Sequence, residues 1–283
     1  MSVVVVCLNP VIQKTLKFSL LSVGEVNRAK ESYWCSSGKG VNVCRVLTQL
    51  HVPNVLLTQV NGQHEKWFTE MCAKDGVHLC TVKAGGIRFC TTVLCNSEAT
   101  ELVEEGIPVT ESSELFIEAF QKLITTHKFK IVVFTGSIAP GIPSNIFSRM
   151  TKIAKEEQCF VIGDVRGDVL TEMLKENVDL IKPNKEEFLS TFGSLEKAVD
   201  ISKLATLIIT DGKNKTSIYS NGVLSHVDIE RVNQIVNPIG CGDSFTAGLA
   251  SVLLKNEDLN MAVKEGHHCA ALNLQTLTPG SLL

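Results

Sequence analysis

The residues with the most definite chemical meaning lie in Asn237-Pro238-Ile239-Gly240-Cys241-Gly242-Asp243-Ser244-Phe245, which runs straight into the apolar stretch Thr246–Leu254. Two glycines flanking one residue just before a helix let successive backbone N–H groups point into one concavity, where the helix dipole also favours negative charge. Gly240, Cys241 and Gly242 are therefore a candidate anion hole. A carboxylate in such a hole repels the anion that the hole attracts, so it is costly there without a task. Asp243 has the chemistry to take a proton from a substrate hydroxyl while the hole holds a transferring phosphoryl group. Helix capping by Asp243 is the alternative that this stretch leaves open.

Two further clusters are each ambiguous alone. Ser36-Ser37-Gly38-Lys39-Gly40-Val41-Asn42 offers a glycine-lined surface from which Lys39 and Asn42 can approach a polyhydroxylated or phosphorylated ligand. It is not a Walker loop, because Tyr33 stands where that pattern needs its first glycine and Gly40 stands where it needs Ser or Thr. A plain strand-to-helix turn accounts for the same residues. In Lys182-Pro183-Asn184-Lys185-Glu186-Glu187, Asn184 and Glu187 are spaced either as a capping box or as neighbours of a hydrated magnesium and its phosphates.

These residues need a scaffold to bring them together. Ser2–Cys7 reads as a buried first strand ended by Asn9-Pro10, followed by short strand-like stretches at Ile12–Ser19 and Arg28–Trp34 and a helix over Val41–Leu50. Val55–Val60 and Val77–Lys83 read as strands around a helix at Lys66–Asp75, and Phe89–Asn96 with Thr100–Val103 as a hairpin. From Glu111 onward, helices at Glu114–Thr126, Ser144–Glu157, Val169–Glu176 and Lys185–Thr191 alternate with apolar strands at Ile131–Thr135, Cys159–Gly163, Val178–Ile181 and Leu207–Thr210. A strand at Thr216–Ser220 and helices at Asp243–Lys255 and Leu259–Leu274 complete the chain. This alternation predicts a parallel sheet covered on both faces, with the early short strands forming a small β-subdomain. No linker or internal repeat divides the 283 residues.

Composition narrows the classes. With 27 Lys+Arg against 30 Asp+Glu and a net charge of −3, the chain lacks the basic excess of a nucleic-acid binder. Hydrophobic residues at 44% exclude bulk disorder, and no apolar run approaches the ~18 residues of a membrane helix. Ser2–Leu8 has no basic n-region or cleavage site, so a cytoplasmic protein is expected. The ten cysteines contain no CxxC pair and read mostly as small buried hydrophobes in a reducing compartment.

Taken together, Ser37-Gly38-Lys39-Gly40-Val41-Asn42, Asn184-Lys185-Glu186-Glu187 and Gly240-Cys241-Gly242-Asp243, in this order and at these distances, resemble the ribokinase/PfkB family of carbohydrate kinases. The resemblance covers essentially the whole chain. Leu8-Asn9-Pro10, Gly24-Glu25-Val26-Asn27-Arg28, Thr135-Gly136-Ser137 and Pro140-Gly141-Ile142-Pro143 look most like its 1-phosphofructokinase and tagatose-6-phosphate kinase branch. It implies one α/β domain over 1–283, a ribokinase-like three-layer α/β/α sandwich with a mostly parallel sheet. A small β-sheet lid is implied at about 12–34 and 87–103, often paired into a homodimer. It further implies an ATP- and magnesium-dependent transfer of the γ-phosphoryl group to a sugar phosphate.

Residue by residue, the resemblance makes Asp243 the base and Gly240, Cys241 and Gly242 the anion hole. Asn184 and Glu187 order magnesium and the nucleotide phosphates, Thr210 and Gly212 contact ATP, and Asn273 lies near the adenine. Gln13, Gly38, Lys39 and Asn42 face the sugar, with Arg28, Lys39 and Arg88 as candidates for holding a phosphate already on it. The chain departs from the family on the acceptor side. Gln13 stands where an Asp is usual, Ser36-Ser37 where Ala-Gly or Gly-Gly is common, and Cys90 where Asn is frequent. An amide has one acceptor oxygen and cannot grip two hydroxyl donors as a carboxylate does. The expected acceptor is therefore altered or relaxed. The alternatives are a kinase for an unphosphorylated sugar or nucleoside, and a non-catalytic sugar-phosphate sensor with the same fold.

Overall fold

A computed structural model describes every residue except Met1, Ser97, Glu230, Asn256 and Glu257. Ser97 belongs to the expected lid range and so lies outside the described residues. The strands are β1 Val3–Cys7, β2 Val11–Phe18, β3 Glu31–Ser37, β4 Asn54–Gln59, β5 Leu79–Val82, β6 Arg88–Cys95 and β7 Glu98–Val103. They continue as β8 Ile131–Thr135, β9 Phe160–Asp164, β10 Leu180–Ile181, β11 Thr206–Ile209, β12 Thr216–Ser220 and β13 Val223–Val227. The helices are α1 Lys39–Gln49, α2 Glu65–Lys74, α3 Glu114–Thr126, α4 Ile146–Glu156 and α5 Gly167–Met173. They continue as α6 Lys185–Phe192, α7 Ala198–Ile201, α8 Cys241–Leu253 and α9 Leu259–Asn273.

Nine strands form one sheet in the order β13-β12-β11-β10-β9-β8-β1-β4-β5, parallel from β11 through β5 and antiparallel at β12 and β13. Period-two alternation explains the layers. Val4, Val6, Val132 and Phe134 point into a core that includes Phe116 and Phe120 of α3, Phe147 of α4 and Phe188 of α6. Val3, Val5, Ile131 and Val133 point the other way, into a core with Val43 and Val46 of α1, Phe68 of α2, Leu249 of α8 and Val263 of α9. All four valines of β1 are fully buried, each contributing about 1.5–3 kcal/mol of transfer free energy. This is the expected three-layer α/β/α sandwich. No helix among the described residues is long and apolar enough to cross a membrane.

Four strands make a separate sheet in the order β3-β2-β6-β7, the lid. Two local readings change. Ser36 and Ser37, expected in a glycine-rich loop, are the end of β3, so that loop reduces to Gly38 before α1 starts at Lys39. Gly38 at φ +102° makes this abrupt turn possible. β13 was not expected, because most of it is exposed on the edge of the sheet and offers no continuous apolar run.

Candidate active site

In open α/β sheets ligands bind beyond the carboxyl ends of strands, where neighbouring connections diverge. Here β1 lies between β8 and β4, and the segments after β1, β8, β9, β10 and β11 rise toward the lid. A cavity of about 390 Å³ sits at that edge. It is lined by Gln13, Gly38, Lys39, Asn42, Arg88, Asn184, Glu187, Thr210, Gly240, Cys241, Gly242 and Asp243, twelve residues singled out from the sequence. Gly212 lines an adjoining cavity of about 650 Å³ that shares Pro238 and Cys241 with the first.

Asp243 does not cap α8. Gly240 occupies the N-cap with no side-chain capping bond, and Asp243 lies in the first turn, buried, with Asn42 Nδ2 donating to its Oδ2 at 2.7 Å. Burial pushes the Asp243 carboxyl up to about 7, helped by the negative charge of Asp164 and opposed by Lys39 and the Asn42 amide. The orientation of Asn42 is set by Arg45, whose Nη1 donates to Asn42 Oδ1 at 3.2 Å and to Pro279 O at 2.7 Å. The same buried guanidinium is held by Asp75 at 2.9 Å and by Ser36 O. With its oxygen facing a permanent cation, the amide can turn only its NH₂ to Asp243.

The turn before α8 is built around missing side chains. Gly240 has φ +87°, and a Cβ there would stand 2.3 Å from Gly280 N. A Cβ on Gly280 would in turn meet Asn42 Cβ at 2.3 Å, so the closing segment wedges between α1 and the turn before α8. Asn273 holds this assembly together. Its Oδ1 accepts from Gly280 N at 2.7 Å and Ser281 N at 3.3 Å, while Nδ2 donates to Ile239 O at 2.9 Å. The Cys241 thiol accepts from Asn273 Nδ2 at 3.3 Å and is pushed up to about 12 by burial, which keeps it a neutral thiol.

Three of the residues expected to meet a ligand have their side chains engaged within the fold or lie outside the cavities. Asn273 is fully buried and its amide is spent on the tail and the turn, while its neighbours Ala271 and Leu274 line the adjoining cavity. Gln13 lines the cavity, but its Nε2 donates to Thr92 Oγ1 at 2.6 Å and its Oε1 accepts from Ser37 Oγ at 2.6 Å. Both ends of that amide tie the lid strand β2 to β6 and to the end of β3. Arg28 lies on the exposed connection between β2 and β3 and lines neither cavity.

Asn184 and Glu187 satisfy both of their sequence readings. Asn184 Oδ1 accepts from Glu187 N at 2.8 Å and Glu187 Oε2 accepts from Asn184 N at 3.0 Å, a complete capping box, yet both residues line the main cavity. Lys39 Nζ lies 3.3 Å from Glu187 Oε1 and 3.7 Å from Asp164 Oδ1. Asp164, followed by Glu187, holds the Lys39 ammonium well above its ordinary range, so it stays a cation.

A sequence profile for pfkB family carbohydrate kinases matches residues 3–282. The chain belongs to that family. The fold of this kinase is similar to that of a possible 1-phosphofructokinase from Thermotoga maritima, at 20% identity, with 98% of this chain and 92% of that one covered and a TM-score of 0.87. It is similar also to Escherichia coli phosphofructokinase-2, solved in complex with fructose-6-phosphate, at 18% identity, 99% and 95% coverage and TM-score 0.86. Arabidopsis thaliana ribokinase, complexed with ribose and ATP, matches at 20% identity, 99% and 94% coverage and TM-score 0.75.

The kinase site also contains charged residues that sequence reading did not single out. Asp164 ends β9, is 1% exposed, and meets Lys182 at 3.2 Å as well as Lys39. Its burial alone would raise its carboxyl, but the two lysines outweigh burial and hold it below the ordinary range. Thr246 Oγ1 donates to it at 3.1 Å from α8, so Asp164 ties the sheet edge to the helix that carries Asp243. The signal available in the sequence was position: a charged residue at the carboxyl end of a parallel strand.

Proposed function

We propose that this PfkB-family kinase transfers the γ-phosphoryl group of ATP to a hydroxyl of a phosphorylated ketohexose, with Asp243 as general base. The observation that carries the reading is the buried Asp243, its carboxyl pushed up by burial, beside the Gly240–Gly242 turn and with Asn42 occupying one of its two oxygens. The acceptor hydroxyl would give its proton to the other oxygen. The backbone N–H groups that open α8 would hold the charge of the transferring phosphoryl, with Lys39 supplying a permanent positive charge. The adjoining cavity bounded by Gly212, Ile235 and Ala271 suits the nucleotide base.

Glu187 and Asn184 place oxygens at the cavity edge that are already paired with Lys39 and with each other's backbone, so they fit magnesium held through its retained waters, of which that ion keeps most. When bound, the ion would neutralise charge on the nucleotide phosphates. Asp164 is unsuited to it, being fully committed to Lys39 and Lys182.

The acceptor's own phosphate has a candidate place in a lobe of about 280 Å³ lined by Asn9, Arg88, Ser137 and Arg166. Arg88 donates from Nη1 to Glu104 O at 2.7 Å, and its buried Nε has no partner among the described residues. Arg88→Ala is expected to raise KM about 10–100-fold for phosphorylated acceptors, the worth of one or two charge-assisted hydrogen bonds, and to leave unphosphorylated sugars unaffected. An equal loss for both kinds of acceptor would remove Arg88 from phosphate binding.

The acid limb of kcat/KM checks the base. Asp243 acts only when deprotonated, so activity falls as pH drops through its folded-state value, about 7. A limb near 4, the ordinary carboxylate value, would show that burial does not hold the Asp243 carboxyl up, and the absence of any acid limb in Asp243's range would contradict the assignment. The reading also includes a homodimer through the lid, where Val23, Val26 and Leu102 are exposed, and a reducing cytoplasm, in keeping with ten free thiols.

A further inference from the structure

The register of the lid puts four cross-strand pairs on one face. Gln13 lies beside Cys90 and Cys90 beside Val103, while Thr15 lies beside Thr92 and Thr92 beside Glu101. With a period of two, Glu101 therefore shares the cavity-facing side with Gln13, Cys90 and Arg88. It lines both the main cavity and the Arg88 lobe. The other carboxylates at the site already have close partners: Asp243 has Asn42 on one oxygen, Asp164 has two lysines, and Glu187 has Lys39 and its capping box. Among the described residues, Glu101 has only the weak thiol contact from Cys90 Sγ at 3.6 Å. Arg88 lines the same lobe, yet the two make no ion pair, and the Arg88 Nε is left without a partner.

We infer that Glu101 is a specificity-determining residue that grips hydroxyl donors of the acceptor beside its phosphate. This rests on the kinase reading above and deepens it. A pocket for phosphate alone is weakened by an uncommitted carboxylate, which repels the ligand. A pocket for a polyhydroxylated phosphate ester uses both charges, the guanidinium for the ester anion and the carboxylate for two neighbouring hydroxyl groups. Gln13, bonded to Thr92 and Ser37, offers a single amide oxygen that already accepts one hydrogen bond, and so cannot grip two hydroxyl donors as a carboxylate does. The carboxylate that selects the sugar therefore sits on β7.

Equilibrium binding to the full chain tests this, with fructose 1-phosphate, fructose 6-phosphate, tagatose 6-phosphate and inorganic phosphate as probes. Glu101→Gln should bind the ketohexose phosphate preferred by the wild type at least tenfold more weakly, and inorganic phosphate equally well or more tightly. Under turnover its acceptor KM should rise with kcat within about twofold. Because Glu101 is exposed, an unchanged melting midpoint is expected and separates this loss from misfolding. If the variant binds ketohexose phosphates as tightly as the wild type, or more tightly, the role of Glu101 is overturned while the kinase reading stands. If the wild type binds none of the three, both fall.

Discussion

Asp243→Asn should lower kcat by a factor on the order of 10² or more while ATP binding stays within about twofold. The substitution keeps the shape of the side chain, and the new amide oxygen can still accept from Asn42 Nδ2. What disappears is the proton acceptor. Its effect on stability has the opposite sign. The folded state holds the Asp243 carboxyl at about 7, above the unfolded value near 4, so folding favours the protonated form. That contribution is complete below about pH 4 and is lost as pH rises through 7. At pH 8 the wild type carries an ionised, buried carboxylate close to Asp164, whereas the Asn variant carries none. The variant should therefore be the more stable of the two at pH 8, by up to about 4 kcal/mol, with the difference vanishing toward pH 4. Denaturant midpoints at the two pH values check this. A variant that is less stable at pH 8, or that turns over normally, contradicts the assignment.

Gly240→Ala should be nearly as damaging for a different reason. The residue has φ +87°, and the added methyl would stand 2.3 Å from Gly280 N and 2.9 Å from Pro279 C, both backbone atoms. Either the tail must leave its bonds to Asn273, or the first turn of α8 must shift. Displacing the N–H donors should cost about 10²–10³ in kcat, the scale of losing an oxyanion-hole donor. Gly193→Ala is the control. Gly193 has φ +83° at the end of α6 with nothing within 4 Å of its Cβ position, so only the left-handed strain of about 1–2 kcal/mol applies. A melting shift with normal kcat is expected for Gly193→Ala, and loss of both for Gly240→Ala. Equal kcat in the two variants would detach the turn from phosphoryl transfer.

The contrast between these glycines shows what could be read in advance. Gly240-Cys241-Gly242-Asp243 was legible because its requirement is local: a left-handed turn and a helix start within four residues. β1 and β8 were legible because strands buried on both faces must be continuously apolar. β13 follows no such rule, since an antiparallel edge strand with one exposed face can be largely polar. Asp164, Lys182 and Arg45 acquire their meaning from partners brought in by the tertiary fold, so nothing in their immediate neighbours marks them. Asn273 was placed near the nucleotide by family resemblance, but its surroundings are decided by the tail that folds back over α9. Gln13 looked like an altered sugar contact, and its pairing with Thr92 and Ser37 became visible only with the lid register.

The most direct test is ADP release by the wild-type chain with MgATP across ketohexose phosphates, unphosphorylated hexoses, pentoses and nucleosides. The buried base, the glycine turn and the Arg88 lobe predict strong stimulation by a ketohexose phosphate and little by unphosphorylated acceptors. No stimulation by any acceptor, as for a sugar-phosphate sensor, or stimulation only by a free sugar or nucleoside, would contradict it.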